Sequence, residues 1–143
     1  MGDKTNIRPI YDVGADDSDK TWTVPAGETW NILSLWVQLA ASAVVGNRML
    51  VVEYQDAAGY VWWRCTSVTL IAAGATTRIE FAPGVIPQAA SGGPGYSVAL
   101  PNPCVALAGG VLRVWDWNAI DDGGGVANHD DMTVYILVEV HEA

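Results

Sequence analysis

The chain has 143 residues, of which 50% are apolar and only 16% are charged. Folding at this length buries roughly two-thirds of the chain surface, so we expect one domain with its own core and exclude a disordered chain. The net charge is −9 and the seven basic residues are scattered, which excludes nucleic-acid binding because that requires a basic face.

The first residues give no sign of export or membrane insertion. MGDKTNIRPIYDVGADDSDK has no apolar core of the kind that a signal peptide carries. No apolar run in the chain approaches the ~20 residues of a membrane helix. We therefore predict a soluble protein made in the cytoplasm. Because residues 1–20 are polar and unpatterned, we also predict a flexible N-terminal arm there, followed by a β domain over 21–143.

Short β-like runs separated by Gly, Pro, Asn and Asp follow one another along that domain. QDAAGY (55–60) is a hairpin signal, and Pro101 and Pro103 favour a break within 96–107. The pattern predicts an all-β fold, an antiparallel eight-stranded jelly-roll sandwich preceded by a short leader strand. The predicted runs are 21–24, 29–39, 48–56, 60–70, 76–83, 96–107, 111–118 and 132–142.

Two of these strands carry large apolar side chains on both faces. In 29–39, Trp30 and Trp36 alternate with a second apolar set, and in 132–142 Tyr135 and Leu137 do the same. The first and last strands of a jelly roll are neighbours, so these four residues should form one outer apolar patch. Four such side chains would form an apolar patch on the order of several hundred Å², which is at or above what a soluble monomer usually exposes. We predict that it is a self-association interface, and that the protein is a homotrimer.

The sequence shows no constellation for catalysis or for a resident metal. There are two histidines, no nucleophile elbow and no phosphate-binding loop. We therefore predict a protein that is not an enzyme and has no cofactor and no metal. Cys65 and Cys104 are interpreted as two buried thiols, with a disulfide left open.

An acidic, glycine-rich stretch spans 116–131. It contains Asp121, Asp122, His129 and Asp130. Calcium prefers oxygen ligands of this kind, but the Ca²⁺-loop spacing is absent. We favour a solvated loop that contacts a partner, with calcium as the alternative.

Tryptophan is frequent enough to indicate a second class of function. Trp62, Trp63, Trp115 and Trp117 are candidates for stacking on sugar rings. Trp62 and Trp63 are adjacent, so one of them should point to each side of their strand. The apolar phase of this strand changes between Cys65 and Val68, and a β-bulge there would explain the change. A carbohydrate-binding module is therefore the alternative function, although core or interface packing of these rings is favoured.

The succession of turns and strands resembles small structural proteins of tailed bacteriophages. The resemblance lies in TWTVPAGETWNILSLWVQLAASAVVGNRMLVVEYQDAAGYVWW (21–63) and in ALPNP followed later by LRVWDWNAIDDGGGVANHDDMTVYILVEV. It covers residues 21–141 and includes no catalytic motif. Such proteins resemble capsid decoration, or cement, proteins with a jelly-roll or related β-fold. Other phage proteins of this size belong to tails or fibres, and the alternative function would then be a carbohydrate-binding module of a phage tail or adsorption apparatus.

That resemblance implies a non-enzymatic virion protein on the outer capsid surface, made in the host cytoplasm. Its expected partners are further copies of itself and the major capsid protein, with no nucleic acid and no membrane. The N-terminal arm would grip the shell and become ordered on binding. Arg8 and Tyr11 are its expected contacts, because Arg and Tyr are enriched at interface hot spots.

Overall fold

The computed structural model describes residues 4–14, 18–85, 96–120 and 129–142. These residues form two β-sheets and contain no helix, an all-β arrangement consistent with a β-sandwich. The described strands are β1 (Lys4–Asp12), β2 (Asp19–Thr23), β3 (Glu28–Ala40), β4 (Leu50–Gln55), β5 (Val61–Thr66), β6 (Thr76–Pro83), β7 (Tyr96–Leu100), β8 (Val105–Leu107), β9 (Val111–Asp116) and β10 (Asp131–Glu142).

The strand order differs from the chain order in both sheets. Sheet A runs β1-β10-β3-β6-β7, with β8 also pairing with β3, and sheet B runs β2-β9-β4-β5. The described pairs are antiparallel except for β6 and β7, which are parallel. Each predicted run overlaps an observed strand. The run 96–107 is divided at its prolines, where the chain lacks N–H donors for a ladder.

Apolar side chains from the two sheets meet between them and form the core. In β10 alternate residues are buried from Met132 to Val140, as the pleat of a strand requires. Sheet B contributes the same alternation, for example Leu112 and Val114 of β9. The removal of these side chains from water is the main stabilising term. Further large core residues are Leu35, Leu39, Leu50, Ile71, Ile79 and Phe81.

A β-bulge in β3 determines which of its side chains enter the core. The register with β10 shifts between Leu137 and Val138, so that Leu33 is the extra residue between Ile32 and Ser34. Trp30 and Ile32 before the bulge, and Leu35 after it, therefore all point inward. Trp30 is 3% exposed, so its predicted place on the outer apolar patch is wrong. Strict alternation along 29–39 cannot reveal this change of phase.

The expectation of a free N-terminal arm is wrong for residues 4–12. They form β1, which pairs with β10 at the edge of sheet A over its whole length. Only Ile10 of this strand packs against the core cluster, so its sequence has little periodic signal. Pro9, which has no N–H to donate, lies within β1. Proline inside a sheet is tolerated at an edge, where its N–H side faces solvent.

A fully buried ion pair joins the β3–β4 connection to the start of β10. Arg48 Nε and Nη2 lie 3.0 Å from Asp130 Oδ2 and Oδ1, and both side chains are 0% exposed. The guanidinium also donates to the carbonyls of Val44 and Gly46, and Asp130 Oδ1 accepts from Ser42 N–H. A buried charge pair of this kind is tolerated because its hydrogen bonds are satisfied, and the loss of one partner leaves the other charge unpaired.

We predict that Asp130→Asn lowers the free energy of unfolding by about 3–5 kcal/mol, because Arg48 then lies buried without a counter-charge. Urea denaturation measures the change. Glu80→Gln is the matched control, since it breaks the exposed Arg78–Glu80 pair and should change stability by less than about 1 kcal/mol. Equal effects of the two substitutions would contradict the structural role of the buried pair.

Candidate functional site

A row of stacked side chains crosses the outer face of sheet A. Tyr11 of β1 stacks on Tyr135 of β10 at 5.4 Å between ring centroids, and Tyr135 stacks on Trp36 of β3 at 4.7 Å. The guanidinium of Arg78 in β6 lies 4.2 Å from the centroid of the Trp36 ring. We call these four residues the aromatic row. Tyr135 lies directly opposite both Tyr11 and Trp36 in the strand register, which explains the stacking.

Aliphatic groups extend the aromatic row along the same face. Leu137 is 39% exposed and lies beside Pro9, while Ile7 is 62% exposed. Tyr11, which we predicted as a contact of a free arm, is 60% exposed and belongs to this surface. The structure thus brings together Trp36, Tyr135 and Leu137 as the sequence predicts, adds Tyr11, and excludes Trp30.

Arg8, the other predicted arm contact, is engaged within the chain. Its Nη2 lies 2.8 Å from Glu28 Oε2, and its Nη1 lies 3.3 Å from Oε1. Glu28 Oε2 also accepts from the indole N–H of Trp30 at 2.8 Å. These bonds hold the pKa of the Glu28 carboxyl below its usual range, and the bond from Arg8 has the largest effect. The contact fastens the edge strand β1 to the start of β3.

The acidic stretch 116–131 divides into structural and undescribed parts. Asp121 and Asp122 lie outside the described residues, and His129 is partly exposed. Asp130 is fully buried in its pair with Arg48, so its predicted contact with a partner is wrong. Asp116 is also buried, and its carboxylate accepts from the backbone N–H groups of Met49, Asn118 and Ile120. Both carboxylates therefore have structural roles, Asp116 at the end of β9 and Asp130 immediately before β10.

The outer face of sheet B carries two tryptophans that are covered by arginines. Arg113 lies 3.8 Å from the Trp115 ring centroid, and Arg64 lies 4.9 Å from that of Trp117. Arg64 also pairs at 2.9 Å with Glu53, which is buried beneath them. Sequence reasoning missed this network because its charged members come from different strands. An arginine therefore already stacks on each of these two indoles, although Trp117 remains 45% exposed.

An apolar groove of about 360 Å³ lies where the edge of sheet B meets β8 of sheet A. A β-bulge places Trp62 beside Trp63, since Tyr54 pairs with Trp63 and Gln55 pairs with Val61. The bulge lies at Trp62, before the change of phase where the sequence predicts one, and both indoles line the groove instead of pointing to opposite sides. We call the groove the tryptophan groove and define it by its lining residues: Tyr54, Trp62, Trp63, Pro103, Val105 and Leu107.

Asp56 in the β4–β5 hairpin fixes Trp62 at the rim of this groove. Its Oδ1 accepts from the backbone N–H groups of Ala58 and Tyr60, and its Oδ2 accepts from the Trp62 indole N–H at 2.8 Å. Gly59 adopts a φ of 89°, which a residue with a Cβ rarely does, and so closes the turn. The sequence signal for this arrangement is an aspartate opening a short glycine-containing loop.

Cys65 in β5 and Cys104, which directly precedes β8, are both free thiols. Burial raises the pKa of Cys65, and burial together with the neighbouring Cys65 raises the pKa of Cys104 to about 12. Both are therefore protonated and weakly nucleophilic at neutral pH. Among the described residues, no group of three or more His, Cys, Asp or Glu side chains is placed to hold a metal ion.

No family model, curated protein or solved structure matches this chain. Within the described ranges there is no helix with the length and apolarity that a membrane crossing requires.

We predict that the Trp62 indole environment is insensitive to pH until the medium is strongly acidic. The hydrogen bonds from the Trp62 indole and the Tyr60 backbone hold the pKa of the Asp56 carboxyl below its ordinary value of 3.8, and the bond from Trp62 has the largest effect. The contact is therefore complete above that value and is lost as pH falls through the lower, folded-state pKa. NMR of the Trp62 indole N–H should show a constant shift from about pH 7 to 4 and a change only below.

Asp56→Asn is the control, because the amide oxygen still accepts the bond but does not titrate, and its Trp62 signal should stay constant in acid. A Trp62 shift centred between about pH 5 and 7 in the unmodified protein would contradict the assignment to Asp56.

Proposed function

We propose that this chain is a non-enzymatic structural protein of a bacteriophage virion, a capsid decoration protein that binds the outer capsid surface and stabilises the shell. The observation that carries the proposal is the exposed outer face of sheet A, with the aromatic row, Leu137 and Ile7. A contiguous apolar face of this kind on a soluble chain is typical of an assembly surface. The resemblance of residues 21–141 to small phage structural proteins, which include decoration proteins, is the reason for proposing the capsid.

The strand order supports a jelly roll as the finer fold. Without β7 and β8, the sheets read β1-β10-β3-β6 and β2-β9-β4-β5. Eight strands that alternate between two sheets in this order are what two interlocked Greek keys produce. In this reading β7 and β8 are additions between the sixth and the seventh strand of the roll. The proposed roll begins at β1, so residues 4–12 are part of it.

The homotrimer is proposed to form through the outer face of sheet A. The exposed apolar side chains amount to several hundred Å², and a specific interface buries roughly 800 Å² on each partner. Gln38, Arg78 and Glu80 lie on the same face and supply the polar rim that such interfaces have. Because the rings of the aromatic row already stack within one chain, little side-chain freedom remains to be lost on association.

In the proposed mechanism, many trimers stabilise the shell together. Each trimer would bridge neighbouring subunits of the major capsid protein, and many such contacts together resist the pressure of packaged DNA. No step of this role needs a reactive group, which agrees with two protonated, weakly nucleophilic thiols. The net charge of −9 keeps the free protein soluble before it binds.

We predict that Trp36→Asp and Tyr11→Asp each convert the oligomer to a monomer, because a carboxylate would be buried in the centre or at the margin of the apolar face. Light scattering coupled to size-exclusion chromatography measures the mass. Trp117→Asp on the outer face of sheet B is the control and should leave the oligomer intact. A monomeric unmodified protein, or variants that keep its mass, would contradict self-association through this face.

The capsid role has its own test. Shells of the major capsid protein are mixed with the purified chain, sedimented and heated. We expect the chain to sediment with the shells and to raise their disruption temperature. A chain that remains in the supernatant, or that leaves the disruption temperature unchanged, would overturn the decoration role.

A further inference from the structure

We infer that the tryptophan groove is a glycan-binding site, in which the C–H face of one pyranose ring stacks on the exposed indole of Trp62. This site is separate from the outer face of sheet A and from self-association. Its volume of about 360 Å³ lies within the range of small-molecule sites. The inference depends on how Trp62 is presented, on the surroundings of its ring and on the charge of the chain.

Two local features hold Trp62 in an exposed position. The β-bulge in β5 turns it toward the groove beside Trp63, and bulges commonly redirect a side chain next to a functional site. The Asp56 carboxylate holds its indole N–H at 2.8 Å. The ring is nevertheless 70% exposed. A large apolar ring that is fixed in place and left in water loses little conformational freedom when a ligand stacks on it.

The free face of Trp62 distinguishes it from the other outward tryptophans. Arg64 covers Trp117, Arg113 covers Trp115, and Tyr135 and Arg78 cover Trp36. In the part of the chain that the structure describes, no ring or guanidinium stacks on Trp62. Of the four tryptophans that the sequence suggests for sugar stacking, Trp62 is the most exposed, at 70% against 45% for Trp117, and Trp63 is tilted against Tyr54.

The groove offers a sugar both of the contacts that it needs. Its floor and walls are apolar, which suits the C–H face of a pyranose. Tyr54 is 3% exposed and its hydroxyl accepts from Leu107 N–H at 3.0 Å, so it belongs to the floor of the groove rather than to its polar contacts. Asp56 Oδ2 has a second lone pair to accept from a sugar hydroxyl.

Charge selects among ligands of this shape. Asp56 stands at the rim with a lowered pKa and is ionised at neutral pH, and the chain as a whole carries −9. Anionic ligands such as phosphates or sialylated glycans are therefore repelled. Hydroxyl donors, by contrast, bind well to a carboxylate. The chemical class that fits is a neutral glycan.

The experiment measures binding of a defined panel of neutral oligosaccharides by calorimetry and by tryptophan fluorescence. The panel contains cellohexaose, maltohexaose, laminarihexaose, chitohexaose and a β-galactan hexamer. We expect at least one of them to bind the unmodified chain, and Trp62→Ala to weaken that binding by about tenfold or more. Trp117→Ala is the control and should bind as the unmodified chain does. Asp56→Ala should weaken binding to a lesser degree, because the ring remains but is no longer fixed.

The inference is overturned if no member of the panel binds at concentrations up to about 10 mM, or if Trp62→Ala binds as tightly as the unmodified chain. It is also overturned if Trp62→Ala abolishes binding to capsid shells while no sugar binds, since the groove is then a protein docking site. Sugar binding by a chain that fails to sediment with shells supports the groove and removes only the decoration role. The two proposals therefore fail independently.

Discussion

The alternation of side chains along β3 is interrupted once, at Leu33, and the composition of both faces of sheet A depends on that interruption. Without the extra residue, Trp30 and Ile32 would lie on the outer face together with Trp36, and the core would lose two of its large side chains. With it, both enter the core, and Trp36 alone remains outside to meet Tyr135. A one-residue change of register therefore separates a buried indole from one available for assembly.

The sequence predicted which side chains point into the core wherever the alternation continued without a break. The inward set of β10 and that of β9 are the ones that period-two alternation predicts. The neighbouring positions of Trp36 and Tyr135 also follow from the expected pairing of the strands that contain them. Adjacent Trp62 and Trp63 were expected to point to opposite sides of their strand, and only the register with β4 reveals the bulge that brings both to the groove.

Other features depend on contacts between residues far apart in the chain. Asp130 looks like a solvated loop residue, and only its contact with Arg48, 82 residues earlier, makes it a buried counter-ion. β1 has few apolar residues facing the core, so its place in sheet A follows from its pairing with β10 rather than from its own pattern. Trp30 was misplaced for the related reason that one sequence does not show where a bulge lies. In each case a distant partner decides the outcome.

Pro9 lies in β1, the strand at one edge of sheet A, and affects how readily a further strand can pair there. An unpaired edge strand attracts further strands, and repeated addition of that kind has no natural end. Pro9 removes one N–H donor from β1, so a further strand that paired with this edge would lack one hydrogen bond. A single imino acid in the first strand thereby makes edge-to-edge strand addition at β1 less favourable.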